Sequence, residues 1–241
     1  MNNNAIIIEN SILKKTLNIS GNKIVSSEIL NKISGLTLKS GEGSEEFILR
    51  FKKGFLSNKE IKASELKVID TDKNMTDKGE VYTVTFKPFK VFDSKLNLKL
   101  VYTLKDEKSV IRKHIELSYD KRGKKSIILD YIDFESMRFD SALNSWSIPK
   151  QANSHVPGYA LEIGQPLYVD SLFFGVEFPA ALNKIEESKT SLRYYSGKNL
   201  TDIMKNNLFI SYEAVMGAAD GNAFPQVQRA FFEYKIGRAH V

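Results

Sequence analysis

Apolar and polar residues alternate with period two along much of this chain. Between residues 95 and 105, Leu96, Leu98, Leu100, Tyr102 and Leu104 share one face, and Asn97, Lys99 and Thr103 share the other. That pattern is a half-buried strand of a large antiparallel sheet. Asp106-Glu107-Lys108-Ser109 predicts a turn, after which residues 110–119 return with Ile111, Lys113, Ile115 and Leu117 on one face. The pair reads as a hairpin. A second hairpin is expected where residues 12–19 and 23–29 flank Ser20-Gly21-Asn22, since Gly and Asn accept positive φ at little cost. Further strands are expected at residues 46–51, 65–70, 80–87, 126–139, 171–178, 190–195, 208–216 and 227–235, with Asp72-Lys73-Asn74 as a polar turn. Ile128, Tyr131 and Phe134 slip out of strict alternation, which predicts a bulge or bend. Only residues 200–206 read as helix. Roughly a dozen strands at about 8–12-residue spacing indicate an all-β sandwich or barrel. With no repeat, low-complexity tract or linker, residues 1–235 read as one domain.

Composition narrows the function classes. The chain has 241 residues, 42% hydrophobic and 27% charged, as an ordinary globular domain has. Its net charge of +6 is spread among acids, as at Lys113, Glu116, Asp120 and Lys121, and reads as a solvated surface. Without a basic stripe, no nucleic-acid partner is expected. The absence of cysteine excludes disulfides and thiolate metal sites. No apolar run approaches the roughly 20 residues that span a bilayer, so no membrane partner is expected. Residues 1–9 lack the basic and apolar regions of a signal peptide, which favours the cytoplasm.

Candidate chemistry is sparse. Asp170 and Glu177 are seven residues apart, an odd separation that puts them on opposite faces of a straight strand. They do not make the carboxylate pair, about 5–5.5 Å apart, of a retaining glycosidase. Asp130, Asp133 and Glu135 read as a solvated edge or an interdomain contact. His114 falls at an exposed strand position, whereas His155 lies in a polar loop, the kind of segment that carries sites more often than strands do, and is the histidine candidate for a ligand contact. No two histidines have metal-ligand spacing, and residues 217–221 do not follow the βα pattern of a phosphate loop. Neither a metal nor a cofactor is expected, and no catalytic residue is assigned. Sugar contact is the better-supported chemistry, because Trp146, Tyr159, Tyr168, Phe173 and Phe174 offer flat apolar faces near Glu162 and Glu177.

Residues 164–181 read Gly-Gln-Pro-Leu-Tyr-Val-Asp-Ser-Leu-Phe-Phe-Gly-Val-Glu-Phe-Pro-Ala-Ala. This span resembles the GQPL…FFG-E-P signature in the N-terminal β-supersandwich of α-galactosidase-like glycoside hydrolases, the broad family 36 group and its bacterial relatives. Residues 10–35 resemble the family's opening hairpin and residues 44–47 and 130–133 are similar to weaker family positions, so the resemblance covers nearly all of residues 5–235, with 164–181 its specific part. It implies a galactose-mutarotase-like supersandwich of two large antiparallel sheets, non-catalytic by itself. Its partner would be a C-terminal catalytic barrel, with a galactoside or other glycan at the shared rim. The implied glycan- or barrel-facing residues are Trp146, His155, Tyr159, Glu162, Gln165, Tyr168, Asp170, Phe174 and Glu177. Phe173 or Phe174 is then expected to be exposed in a docking patch. A self-contained carbohydrate-binding module and an aldose epimerase are the alternative readings. The final residues Ile-Gly-Arg-Ala-His-Val, 236–241, match a translated sequencing adapter and are set apart from the domain.

Overall fold

The computed structural model describes residues 4–54, 57–77, 79–104, 110–147 and 164–239. The first strands are β1 (Asn4–Glu9), β2 (Leu13–Ser20), β3 (Lys23–Asn31), β4 (Thr37–Lys39), β5 (Ile48–Lys53) and β6 (Ser57–Lys62). Next come β7 (Val68–Thr76), β8 (Gly79–Val91), β9 (Ser94–Leu104), β10 (Val110–Lys121), β11 (Ile128–Asp133) and β12 (Ser145–Ser147). The last third holds β13 (Leu167–Val169), β14 (Leu172–Val176), β15 (Leu182–Glu186), β16 (Lys189–Asn199), β17 (Leu208–Ile210) and β18 (Ala214–Ala218). Helix α1 (Leu200–Ile203) is one turn, and α2 (Phe224–Ala239) closes the described chain.

The molecule is an all-β sandwich built from antiparallel sheets. A nine-stranded sheet runs β12-β13-β14-β18-β10-β9-β8-β7, with β17 also paired to β10. A four-stranded sheet, β1-β2-β3-β4, and a five-stranded sheet, β15-β16-β11-β5-β6, complete it. Strand β1 lies against β9, and β15 and β16 lie against β12, β13 and β14. The layer opposite the large sheet is thus shared by two smaller sheets. Inward residues of all three meet in one continuous apolar core that includes Leu17, Phe51, Leu100, Ile115 and Phe174.

Period two builds these sheets as the pattern predicts. β9 buries its even positions from Leu96 to Leu104, and β10 pairs with it in register, His114 opposite Val101. The β2–β3 turn carries φ of +56° at Gly21 and +62° at Asn22. The expected irregularity in β11 is a register shift between Leu129 and Tyr131. Asp72-Lys73-Asn74, expected as a turn, instead lies within β7. From Ile69 onward that edge strand is exposed, so its composition is that of a loop although its backbone pairs with β8. Residues 208–216 divide into β17 and β18.

The larger correction is α2. Residues 227–235, expected as a strand, are helical. Phe224, Val227, Phe231 and Tyr234 recur at the spacing of one helical face, and Pro225 sits in the first turn, where its missing N–H is harmless. The helix continues to Ala239, and its residues packed on the aromatic cluster include Phe224, Val227, Phe231 and Tyr234.

Candidate functional site

The span 164–181 folds into β13, β14 and their flanking turns. Gly164 adopts φ of +75°, and a Cβ there would come within 2.5 Å of the Pro179 carbonyl oxygen. Only glycine fits that approach. Asp170 occupies the β13–β14 turn at φ of +50°, with its N–H donating to the Asn144 carbonyl at 2.7 Å. Every residue of β13, β14 and β18 is buried. One face of these strands fills the inter-sheet core, and α2 covers the other.

That outer face holds a second, aromatic cluster. The Trp146 ring lies 5.6 Å from Phe224, Tyr168 stands edge-on to Phe224 at 5.3 Å, and Phe173 meets Phe231 at 5.5 Å. The Tyr234 hydroxyl donates to Glu177, tying the helix to the end of β14. Alternation separates the two phenylalanines. Phe173 lies under α2 and Phe174 points into the inter-sheet core, so neither is the exposed docking residue expected from the sequence. Of the predicted site residues, Trp146, Tyr168 and Glu177 are thus brought together beneath α2. Gln165 is half-buried, and its carbonyl accepts from Asn183 at 2.7 Å. His155, Tyr159 and Glu162 lie outside the described residues.

Tyr168 is fully buried, and its hydroxyl has no hydrogen-bond partner among the described residues. Burial pushes its pKa up to about 12. Deleting an unpaired buried hydroxyl removes a desolvation penalty. Tyr168→Phe is therefore expected to hold or raise the unfolding free energy by about 1 kcal/mol, as read by denaturant melts. A loss of that size would reveal a hidden partner.

The sandwich centre holds a charged ring that the sequence reading missed. Glu45 bridges Ser136 and Ile48 pairs with Asp133, a register that sets Glu46 opposite Glu135. Two carboxylates in such a pair repel. Lys15 of β2 answers them, 2.9 Å from Glu46 and 2.9 Å from Glu135. Lys113 of β10 contacts Glu46 at 3.0 Å and also pairs with Glu135. The Tyr102 hydroxyl donates to Glu46 at 2.6 Å. All five residues are buried. Burial raises the Glu46 pKa, but Lys113 and Lys15 outweigh it and hold the group well below the carboxylate range. The signal was positional: Lys113 shares the parity of Ile111, Ile115 and Leu117, and Lys15 that of Leu13 and Leu17. Lys113 is therefore not a surface charge, nor is Glu135 a solvated edge. His114 lies on the opposite face of β10 and is partly covered, 3.5 Å from Glu116.

A third feature is a groove of about 780 Å3 on the outer face of the five-stranded sheet. Arg193 of β16 grips Asp133 of β11 with two hydrogen bonds of 2.7 Å, and its guanidinium lies 3.8 Å from the centre of the Tyr131 ring. The Tyr131 hydroxyl donates to Glu60 at 2.7 Å. Burial, with Glu60 adding to it, pushes the Tyr131 pKa up to about 12. The Glu187-Ser188 turn forms part of the rim, both residues at positive φ, +47° and +58°.

No protein-family model matches the chain, and no curated protein matches it. Among the described residues no group of three metal-ligating side chains occurs, and no helix is long and apolar enough to cross a membrane.

Proposed function

We propose that this chain is the non-catalytic N-terminal sandwich domain of an α-galactosidase-like glycoside hydrolase, supporting a catalytic barrel and its active-site rim. The observation that carries the reading is the two-sided burial of β13, β14 and β18. The signature span works as packed scaffold, with its aromatics spent on the core and on α2 rather than held out to a ligand. A sheet covered on both faces suits a domain that positions other elements. The carboxylate pair that the register sets face to face, Glu46 and Glu135, is sealed from solvent and neutralised by lysines, which favours an inert domain over a hydrolase in its own right. Reading the coding sequence beyond Lys235 tests the proposal. A frame continuing into alternating strands and helices, with aspartates at strand ends, would support it. A stop codon near Lys235, or hydrolysis of α-galactosides by the 241-residue chain itself, would overturn it.

A further inference from the structure

We propose that the groove across β6, β11, β15 and β16 is a binding site for an uncharged saccharide. This goes beyond the supporting role and stands or falls independently of whether a barrel follows. The volume, about 780 Å3, is within the roughly 300–1,000 Å3 of small-molecule sites. The lining is polar, with Ile48 its only aliphatic residue beside the Tyr131 ring. Such a wall offers little to an apolar ligand.

Charge then decides between polar classes. Arg138, Lys184, Lys189 and Arg193 bring four positive charges to the lining. Glu60, Asp133, Glu186 and Glu187 bring four negative ones. A phosphate- or sulfate-bearing ligand requires an excess of cations, which the balance denies. Interspersed donors and acceptors instead match vicinal hydroxyls, each of which donates one hydrogen bond and accepts others.

The groove also has a fixed floor and open polar groups at its rim. Asp133 is held by Arg193 and by the Ser191 hydroxyl at 3.3 Å, and Tyr131 is held by Glu60 and covered by Arg193. These groups are already paired and set the shape. At the rim, neither the Arg138 guanidinium nor the Glu187 carboxylate has a hydrogen bond or ion pair to a described residue. Both are exposed, so a ligand hydroxyl can meet them without first breaking a hydrogen bond or ion pair to a described residue. The left-handed backbone at Glu187 sets the direction in which its side chain leaves the rim.

Titrating the isotope-labelled 241-residue chain with galactose, melibiose and cellobiose, and with galactose 6-phosphate as the anionic control, tests this by amide chemical shifts. Expected are shifts confined to β11, β15 and β16 with at least one neutral sugar, saturating with a Kd of about 1 mM. The phosphate should bring no gain in affinity at matched ionic strength. Arg138→Ala and Glu187→Ala, both at solvated positions, should each weaken binding about fivefold while leaving the spectrum otherwise folded. Tighter binding of the phosphosugar, unchanged affinity in both variants, or no groove shifts with any neutral sugar at about 50 mM would each overturn the proposal.

Discussion

Lys113→Met is expected to lower the unfolding free energy by about 3–5 kcal/mol, measured by equilibrium denaturant unfolding. The methionine fills the space of the lysine stem, so lost packing is not the cause. Glu46 and Glu135 keep only Lys15, and one negative charge is left uncompensated in a dry interior. Replacing Lys15, Lys113, Glu46 and Glu135 together by apolar residues of similar volume should have a much smaller effect, from neutral to a gain of about 1–4 kcal/mol. The ring also gives stability a pH dependence. The folded pKa of Glu46 lies below its unfolded value, so its contribution is complete above about pH 4.3 and is lost as the pH falls toward the folded value. Burial opposes the charge of Lys15, but Glu135 and Glu46 outweigh it and raise its pKa. That contribution is complete below about pH 10.4 and is lost only as the pH rises through the folded value. Wild-type stability should therefore fall in acid, and the fourfold apolar variant should fall less. Equal acid sensitivity in the two proteins would place the acid-labile groups elsewhere.

Gly217→Ala is the second large effect. A Cβ at Gly217, on the outer face of β18, would lie 2.0 Å from the Phe173 ring. Phe173 is pinned between that glycine and α2, where it meets Phe231 and Tyr234. Overpacking of this kind costs about 1–3 kcal/mol. Here the strain has a direction of release, because α2 can lift away while the inter-sheet core stays closed. Trp146, the only tryptophan, reports on it through its contact with Phe224. The expected result is a red shift of tryptophan emission together with the loss of stability. A stability loss with unchanged emission would mean that the sheet, not the helix, absorbs the clash.

The strands were legible wherever one face of a strand is wet and the other dry. β9, β10 and the β2–β3 hairpin carry that contrast residue by residue. It vanishes in β13, β14 and β18, which are apolar on both faces, and in β7, which is polar on nearly every residue. A strand is still expected at residues 171–178 and 208–216, but not at β13. The misreading of α2 had a different cause. Phe231-Phe232 and the nearby Tyr234 resemble strand composition, while the spacing from Phe224 to Tyr234 is helical, and spacing decides. Of the site residues, Trp146, Tyr168 and Glu177 could be grouped from sequence because they lie in neighbouring strands and turns. The groove could not. Glu60, Asp133 and Arg193 are far apart in the chain, and the shift at Leu129–Tyr131 helps set the register that aligns them.

The charged ring has a further consequence for how the chain reaches its native state. Lys15 arrives with the four-stranded sheet, Lys113 with the nine-stranded sheet, and both glutamates with the five-stranded sheet. Any two sheets that dry out their contact before the third arrives trap an unbalanced charge. A dry contact between any two of the sheets without the third is therefore disfavoured. A one-residue slip in β2 or β10 would turn its lysine outward and leave the two glutamates with a single counter-charge. The ring thus couples the burial of charge to strand register, since the native alignment is the one that brings all four charges together.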